Sequence, residues 1–288
     1  KQQGRIDEEE FRHIEDIAEP CPGSCAMLGT ANTMSALSES LGMSLMGSST
    51  IPAVLAARMA KGVETGEKIV ELVQKGVTTR DILTEEAFEN AVMHLLTMGG
   101  STNGILHLQA IYHEAGLGEL PLSVFDEFSR KTPQVASIYP ASEFDMVDFY
   151  EGGGVPAVLK EIEEYLHKDT LTVSGLTMGE ALSRFSYTNN RNMIKTAEEP
   201  FAPTGGVAIL KGNIAPLGCV IKPAAVPKHM FRYSGRAQVF TTEEESYQAV
   251  LEGRVKPGTC MVLMYEGPKG GPGMPEMYKT MKYLEGMG

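Results

Sequence analysis

Apolar residues recur at helical spacing through the first two thirds of the chain, for example where Phe11, Ile14 and Ile17 mark one face of an acidic segment. Glycine and proline separate these stretches, and Thr or Ser precedes several of them at the position that caps a helix. Two short stretches, 133–140 and 171–175, are predicted as strands. The spacing predicts helices over 7–18, 30–42, 52–73, 78–81, 84–98, 105–116, 124–130, 152–167 and 177–185, with a loop at 43–52.

The pattern changes near Tyr187. Beyond it, short β-branched apolar runs alternate with glycine and proline, and one helix at 243–253 interrupts them. The sequence therefore predicts an α/β protein, with a helix-rich α/β part over 1–188 and a mainly-β, barrel-like part over 189–288. The runs of the second part lie at 207–210, 218–222, 236–240 and 260–265.

Charge and composition narrow the functional class. The 288 residues carry a formal net charge of −12, and because an acidic surface repels phosphate backbones, nucleic acid is not expected as a partner. No apolar run approaches the ~20 residues of a membrane-spanning helix, and the polar N-terminal segment differs from a secretory signal. We therefore expect a cytoplasmic protein with no membrane partner.

Four cysteines in a chain of this length do not form a disulfide framework, so a cysteine could instead act as a thiolate ligand or nucleophile. Cys21 and Cys25 enclose Pro-Gly-Ser shortly before the helix that begins at Thr30. This arrangement fits a thiolate ligand, and it also fits two small buried residues at a helix start. A complete zinc site would need four ligands, and no second pair lies at finger spacing. Cys219 and Cys260 fall inside β-runs, where buried, inert thiols are expected.

Two glycine-rich segments are further candidates. In 99–104, GGSTNG, consecutive glycines let backbone amides approach an anion, although Ser, Thr and Asn before a helix also serve as plain caps. In 265–276, YEGPKGGPGMPE, four glycines and three prolines exclude a helix or a central strand. The two carboxylates and the lysine of that loop suit a cation or a carboxylate substrate, and a solvated surface turn is the alternative. His94, His107 and His113 are expected to be ordinary packed or surface residues.

Taken in order along the chain, these landmarks resemble the dihydroxy-acid dehydratase and sugar-acid dehydratase family. The resemblance implies a lyase that removes water from a 2,3-dihydroxy carboxylate to give a 2-keto acid. It also implies an N-terminal α/β domain followed by a C-terminal β-barrel. The segments that carry it are CPGSC before TANTM, ALSESLGMSLMGSSTIPAV, MGGSTNGILHLQAIYHEAG, GGGVPAVLKEI, LKGNIAPLGCVIK and YEGPKGGPGMPEM.

The resemblance also implies two cofactors and a residue for each. Family members carry an iron–sulfur cluster, either 2Fe-2S or 4Fe-4S, and a Mg²⁺ ion. By motif, Cys25 matches the last of three cluster cysteines, and Glu276 matches the magnesium-binding glutamate. In the family, iron takes the leaving 3-hydroxyl and magnesium holds the carboxylate and the 2-oxygen of a small sugar-acid-like substrate. A serine base removes the proton at carbon 2.

This chain departs from the family pattern in length. The other two cluster cysteines and a modified, magnesium-binding lysine are expected before Lys1, and the serine base is expected beyond Gly288, so no catalytic base is assigned within the chain. CPGSC is also two residues shorter than the corresponding family segment, which alters the expected geometry around Cys25. The chain is therefore expected to be the middle of a dehydratase that does not catalyse dehydration by itself.

Several alternatives stay open at this point. The residues of the GGSTN and EGPKGGPGMPEM motifs favour dihydroxyisovalerate, a precursor in branched-chain amino-acid synthesis, as the substrate of the whole protein. Gly29, in place of a more usual aromatic residue, favours an aldonic acid of the arabonate, xylonate or phosphogluconate type. A catalytically inactive scaffold is a further alternative, since family members assemble as homodimers or homotetramers.

Overall fold

The computed structural model describes residues 4–18, 23–185, 190–267 and 277–287. The helices are α1 Glu8–Ala18, α2 Thr30–Ser40, α3 Ala56–Lys75, α4 Thr79–Ile82, α5 Glu85–Met98, α6 Asn103–Glu114, α7 Leu122–Lys131, α8 Met146–Glu151, α9 Gly154–Glu161, α10 Met178–Ser183, α11 Glu243–Leu251 and α12 Tyr278–Met287. The strands are β1 Ala208–Leu210, β2 Cys219–Ile221, β3 Arg236–Phe240 and β4 Thr259–Leu263. Short 3₁₀ helices occupy Glu163–Tyr165, Pro223–Ala225 and Lys228–Phe231.

The chain is a helix-rich mixture of helices and strands, which confirms the α/β class. It divides into two compact units, one formed by 19–226 and the other by 1–18 together with 227–288. The proposed division into functional domains at residue 188 stays a prediction. Within the described residues, no helix is long and apolar enough to cross a membrane.

Helix α5 lies at the centre of the larger unit. Its side chains are buried from Ala87 to Met98 with the exception of Glu89, as expected of a helix that is apolar on nearly all sides. It packs against α2, α6, α7 and α9, and apolar clusters lie on both sides of it. Thr84 caps its first turn by accepting from the amide of Ala87, and Gly99 ends it in the left-handed conformation.

The predicted β-runs form two small sheets within the described residues. Strands β1 and β2 pair antiparallel, with Ala208 opposite Ile221. Strands β3 and β4 pair parallel, with Arg236 opposite Thr259, and α11 connects them as a β-α-β unit. All four runs are therefore confirmed as strands. No closed barrel is formed by the described part of the chain.

Three local expectations were incomplete or wrong. Residues 133–140 form no regular strand; only the isolated bridges of Gln134 with Ala202 and of Ala136 with Ile194 are present. Residues 171–175 likewise hold only a bridge, between Leu171 and Thr177. A proline at each end of the first stretch lacks the amide hydrogen that a longer strand would need. Helix α12 was not predicted, although Tyr278, Met281 and Leu284 recur in it at helical spacing.

Candidate functional site

Cys25 lies in a loop that leads into the first turn of α2. Its side chain is half-buried and is not part of a disulfide. Among the described residues, the thiol makes one weak contact, from Sγ to the carbonyl oxygen of Met27 at 3.9 Å. A half-exposed thiol to which no described residue bonds strongly is available as a ligand, which is the chemistry predicted for this position.

The side chain of one residue of α2 bonds to the backbone of this loop at two points. Asn32, buried in the first turn of α2, donates from Nδ2 to the carbonyl oxygen of Cys25 at 2.6 Å and to that of Met27 at 2.7 Å. Both hydrogens of the amide group are therefore used on the two residues that flank Ala26.

Other parts of the larger unit fix the same loop. The amide of Met146 donates to the carbonyl oxygen of Ala26 at 2.9 Å, and the amide of Leu28 donates to that of Tyr139 at 2.8 Å. Three successive carbonyl groups, those of residues 25, 26 and 27, are thus bonded in defined directions. The loop is positioned by its neighbours before any ligand is considered.

The GGSTN segment lies against the same turn of α2. The amide of Ser101 donates to Oγ1 of Thr33 at 2.9 Å, and Nδ2 of Asn103 donates to Oγ1 of Thr30 at 2.8 Å. The hydroxyl of Ser101 also accepts from the amide of Asn103, the first residue of α6, at 3.2 Å. The segment therefore lies at the start of a helix, as the simpler interpretation predicted, and it also joins α6 to the helix that follows Cys25.

The segment that contains β2 also reaches this region, through Lys222, which directly follows that strand. Its Nζ donates to the carbonyl oxygen of Gly99 at 2.8 Å. Burial lowers the pKa of this ammonium group. The segments around residues 25, 100 and 222, which are distant in sequence, are therefore linked to one another through α2 and the end of α5.

Glu39, near the end of α2, organises the loop at 43–52. Its side chain is fully buried, and its two carboxyl oxygens accept from the amides of Gly47 at 2.7 Å and Ser49 at 2.6 Å. Burial raises the pKa of the Glu39 carboxyl to about 7, although the bonds from Ser49 and Gly47 lower it in part. Sequence reasoning missed Glu39, and the signal was that it is the one charged residue of α2.

His94, in the middle of α5, is another buried ionisable group of this unit. Its Nδ1 lies 3.0 Å from Oγ of Ser40, and its Nε2 has no hydrogen-bond partner among the described residues. Burial lowers the pKa of the His94 imidazole to about 3. The expectation of a packed histidine is confirmed.

The shifted pKa values of Glu39 and His94 predict opposite pH dependences of stability. Between pH 4.5 and 7, native Glu39 keeps a proton that the unfolded chain releases, so its contribution to the free energy of unfolding is complete below pH 4.5 and is lost as the pH rises through 7. Between pH 6.5 and 3, native His94 stays neutral while the unfolded chain takes up a proton. Its contribution is therefore complete above pH 6.5 and is lost as the pH falls through 3.

Glu39→Gln is therefore expected to make stability rise more with pH than in the wild type between pH 4.5 and 6.5, and His94→Gln is expected to do the reverse. In each variant, the slope of the free energy of unfolding against pH is expected to change by up to about 1.4 kcal/mol per pH unit. Urea denaturation across this pH interval measures both slopes, with the wild type as the reference for all other titrating groups. Slopes that change in the same direction in both variants would contradict the assignment.

The structure brings together only part of the predicted site. Cys25 lies at the junction described above, whereas Cys21, Glu276 and the segment 268–276 lie outside the described residues. Within the described residues, no three His, Cys, Asp or Glu side chains are grouped to hold a metal ion. The donor chemistry of Cys25 fits one iron ligand of a cluster, and the described part of the chain supplies that one thiolate.

The expectation of buried thiols at Cys219 and Cys260 was wrong, because both are exposed. Cys219 is the first residue of β2, and Cys260 lies on β4, where exposed and partly buried residues alternate. Sequence reasoning also missed Asn32 and Lys222. Asn32 has a weak signal, an amide in the first turn of a helix, but nothing in the sequence indicates that Lys222 lies beside Gly99.

Comparison with known proteins places the whole chain within one group. A family model described as the N-terminal part of dihydroxy-acid/6-phosphogluconate dehydratases matches residues 1–181, and the corresponding C-terminal model matches 192–288. Curated proteins called dihydroxy-acid dehydratase are 47% identical in Ignicoccus hospitalis over 97% of this chain, and 47% identical in Caldanaerobacter subterraneus over 99%. The protein of that name in Methanococcoides burtonii is 46% identical over 100% of the chain. The chain spans about half of these relatives' length, 51%, 51% and 52% respectively.

Proposed function

Because this chain belongs to the dihydroxy-acid/6-phosphogluconate dehydratase family, we propose that the whole protein is a hydro-lyase that converts a 2,3-dihydroxy carboxylate into a 2-keto acid. The substrate we propose is 2,3-dihydroxyisovalerate, which gives 2-ketoisovalerate in branched-chain amino-acid synthesis. One observation carries this choice: relatives that match nearly the whole chain at 45–47% identity bear the name dihydroxy-acid dehydratase.

Two residues of this chain would hold the cofactors. Cys25 would supply one thiolate to an iron–sulfur cluster, and Glu276, outside the described residues, would supply a carboxylate to Mg²⁺. When bound, these groups supply Lewis acidity to a hydroxyl leaving group and to a carboxylate substrate. The described residues contribute positioning: the bonds of Asn32, Met146 and Leu28 hold the loop of Cys25 in one conformation.

The remaining features of the proposal concern the assembly. A C-terminal domain with a barrel-like sheet, from about residue 189, would follow the α/β part, and strands β1 to β4 would belong to it. The whole protein would be a cytoplasmic homodimer or homotetramer. Its partner would be a small sugar-acid-like carboxylate rather than a nucleic acid or a membrane.

An aldonic acid is the second candidate substrate, and Gly29 is the observation that favours it. Gly29 is the N-cap of α2, four residues after Cys25. Among the described residues, a Cβ built there would contact only the flexible side chain of Met27, at 3.7 Å and 3.9 Å. The described residues therefore leave room for a larger side chain, and we propose that a longer polyhydroxy acid extends into this room.

A substrate comparison with the whole protein tests the proposal. The protein is purified without oxygen, supplied with iron, sulfide and Mg²⁺, and assayed for 2-keto acid formation from dihydroxyisovalerate, arabonate, xylonate and 6-phosphogluconate. The largest kcat/KM is expected for dihydroxyisovalerate. The largest value for an aldonate would favour the second candidate, and no dehydration of any of the four would overturn the proposed activity.

A further inference from the structure

We propose that Asn32 is a positioning residue for Cys25: its side-chain amide fixes the backbone on both sides of Ala26 and thereby sets the direction in which the thiol of Cys25 is presented to an iron–sulfur cluster. The inference rests on the proposed function, because it takes Cys25 to be a cluster ligand. It adds a residue outside the set of metal ligands and the serine base.

The geometry that carries this inference is a two-carbonyl clamp. One nitrogen, Nδ2 of Asn32, donates to the carbonyl oxygen of Cys25 at 2.6 Å and to that of Met27 at 2.7 Å. The first bond fixes the plane of the peptide that follows Cys25. Because a trans peptide directs its amide hydrogen opposite to its carbonyl, the amide of Ala26 is turned away from Asn32. A ligand on the side away from Asn32 would therefore face this amide.

The chemistry of the clamp requires an amide nitrogen. Two carbonyl oxygens need two hydrogens from one atom, which Asn has, whereas Ser and Thr have only one. Aspartate would place a carboxylate against two carbonyl oxygens, so that only acceptors would meet. An Asp at this position, in the first turn of α2, is still favoured by the helix dipole, so Asn32→Asp is expected to fold. The defect would be concentrated in the loop of Cys25.

Asn90 offers a matched control within the same unit. It is fully buried in α5 and donates from Nδ2 to the carbonyl oxygen of His167 at 3.0 Å, while its Oδ1 accepts from the amide of His167 at 2.8 Å. Asn90→Asp therefore removes a buried amide donor of the same kind, with no contact to the loop of Cys25. A purely structural role for Asn32 would make the two variants behave alike.

The experiment uses the whole protein, prepared without oxygen, as wild type, Asn32→Asp and Asn90→Asp. The first readout is the rate at which the cluster absorbance disappears under an iron chelator, together with the electron paramagnetic resonance spectrum. Asn32→Asp is expected to lose the cluster about 10- to 100-fold faster and to show an altered spectrum. Asn90→Asp is expected to keep the wild-type spectrum and rate, even if its melting temperature falls.

The second readout needs no cluster. The metal-free protein is treated with iodoacetamide, and the alkylation of each cysteine is followed by peptide mass spectrometry. Asn32→Asp is expected to change the rate at Cys25 severalfold and to leave the exposed Cys219 unchanged. Wild-type rates and spectra in Asn32→Asp, or equal changes in Asn90→Asp, would overturn the inference.

The two proposals can fail separately. If the wild-type protein binds no iron–sulfur cluster, the proposed function fails, and the alkylation of Cys25 still decides whether Asn32 orients the thiol. If Asn32→Asp does not fold, Asn32→Ser replaces it, because serine keeps one donor and adds no charge. The same outcomes then apply to that variant.

Discussion

Replacing Cys25 with serine in the whole protein is expected to abolish the cluster absorbance and to reduce dehydration to background. The thiolate is the form of cysteine that binds iron, whereas a serine hydroxyl stays protonated at neutral pH and is a poor ligand of an iron–sulfur cluster. The substitution changes one atom in a loop that three neighbouring segments already hold in place. The fold should therefore persist while the ligand is lost.

Cys219→Ser is the matched control for that result. Cys219 is also an unpaired thiol, but it is exposed on β2, and no described residue of the Cys25 loop bonds to it. The Cys219→Ser variant is expected to keep full cluster absorbance, iron content and activity. Absorbance spectra and iron analysis of both variants, with circular dichroism to verify folding, provide the measurement. An intact cluster in Cys25→Ser would show that this cysteine is not a ligand.

The helical framework was largely predictable because its signals are local. Apolar spacing and end residues placed α5 between Thr84 and Gly99, and the structure uses both residues as its caps. Likewise, a capping box formed by Thr177 and Glu180 starts α10, where the sequence predicts a helix. Local propensity and the packed structure agree in these segments, so one sequence was sufficient.

The connections within the site were not predictable, because they depend on contacts between distant segments. Lys222 and Gly99 are 123 positions apart, and no periodicity or turn signal in either segment indicates that they meet. The bridges around Gln134 similarly replace a predicted strand because its partner, Ala202, lies in an irregular segment. The motifs of the family identified which segments matter, and the structure of the described residues shows what holds them together.

Gly206→Ala is expected to cause a large loss of stability in the larger unit. A Cβ at Gly206 would lie 2.7 Å from the Cα of Gly99, and 3.1 Å from Oε1 of Gln134. The first contact is to backbone, which cannot move aside as a flexible side chain can. The amide of Gly206 is also bonded to the carbonyl oxygen of Leu96 at 2.8 Å, which keeps the two segments close.

We expect Gly206→Ala to lower the free energy of unfolding by about 3 kcal/mol, at the upper end of the cost of overpacking. For a unit of this size, that corresponds to a fall in melting temperature of roughly 10 °C. Gly62→Ala is the control: no described residue lies within 4 Å of a Cβ built at Gly62 on α3, so the substitution should stabilise by about 0.5–1 kcal/mol. Because Gly99 begins the segment that joins Ser101 to α2, the displacement should also reach the turn that supports Cys25. Thermal unfolding followed by circular dichroism tests both variants, and a melting temperature of Gly206→Ala at or above that of the wild type would contradict the close approach of the two backbones.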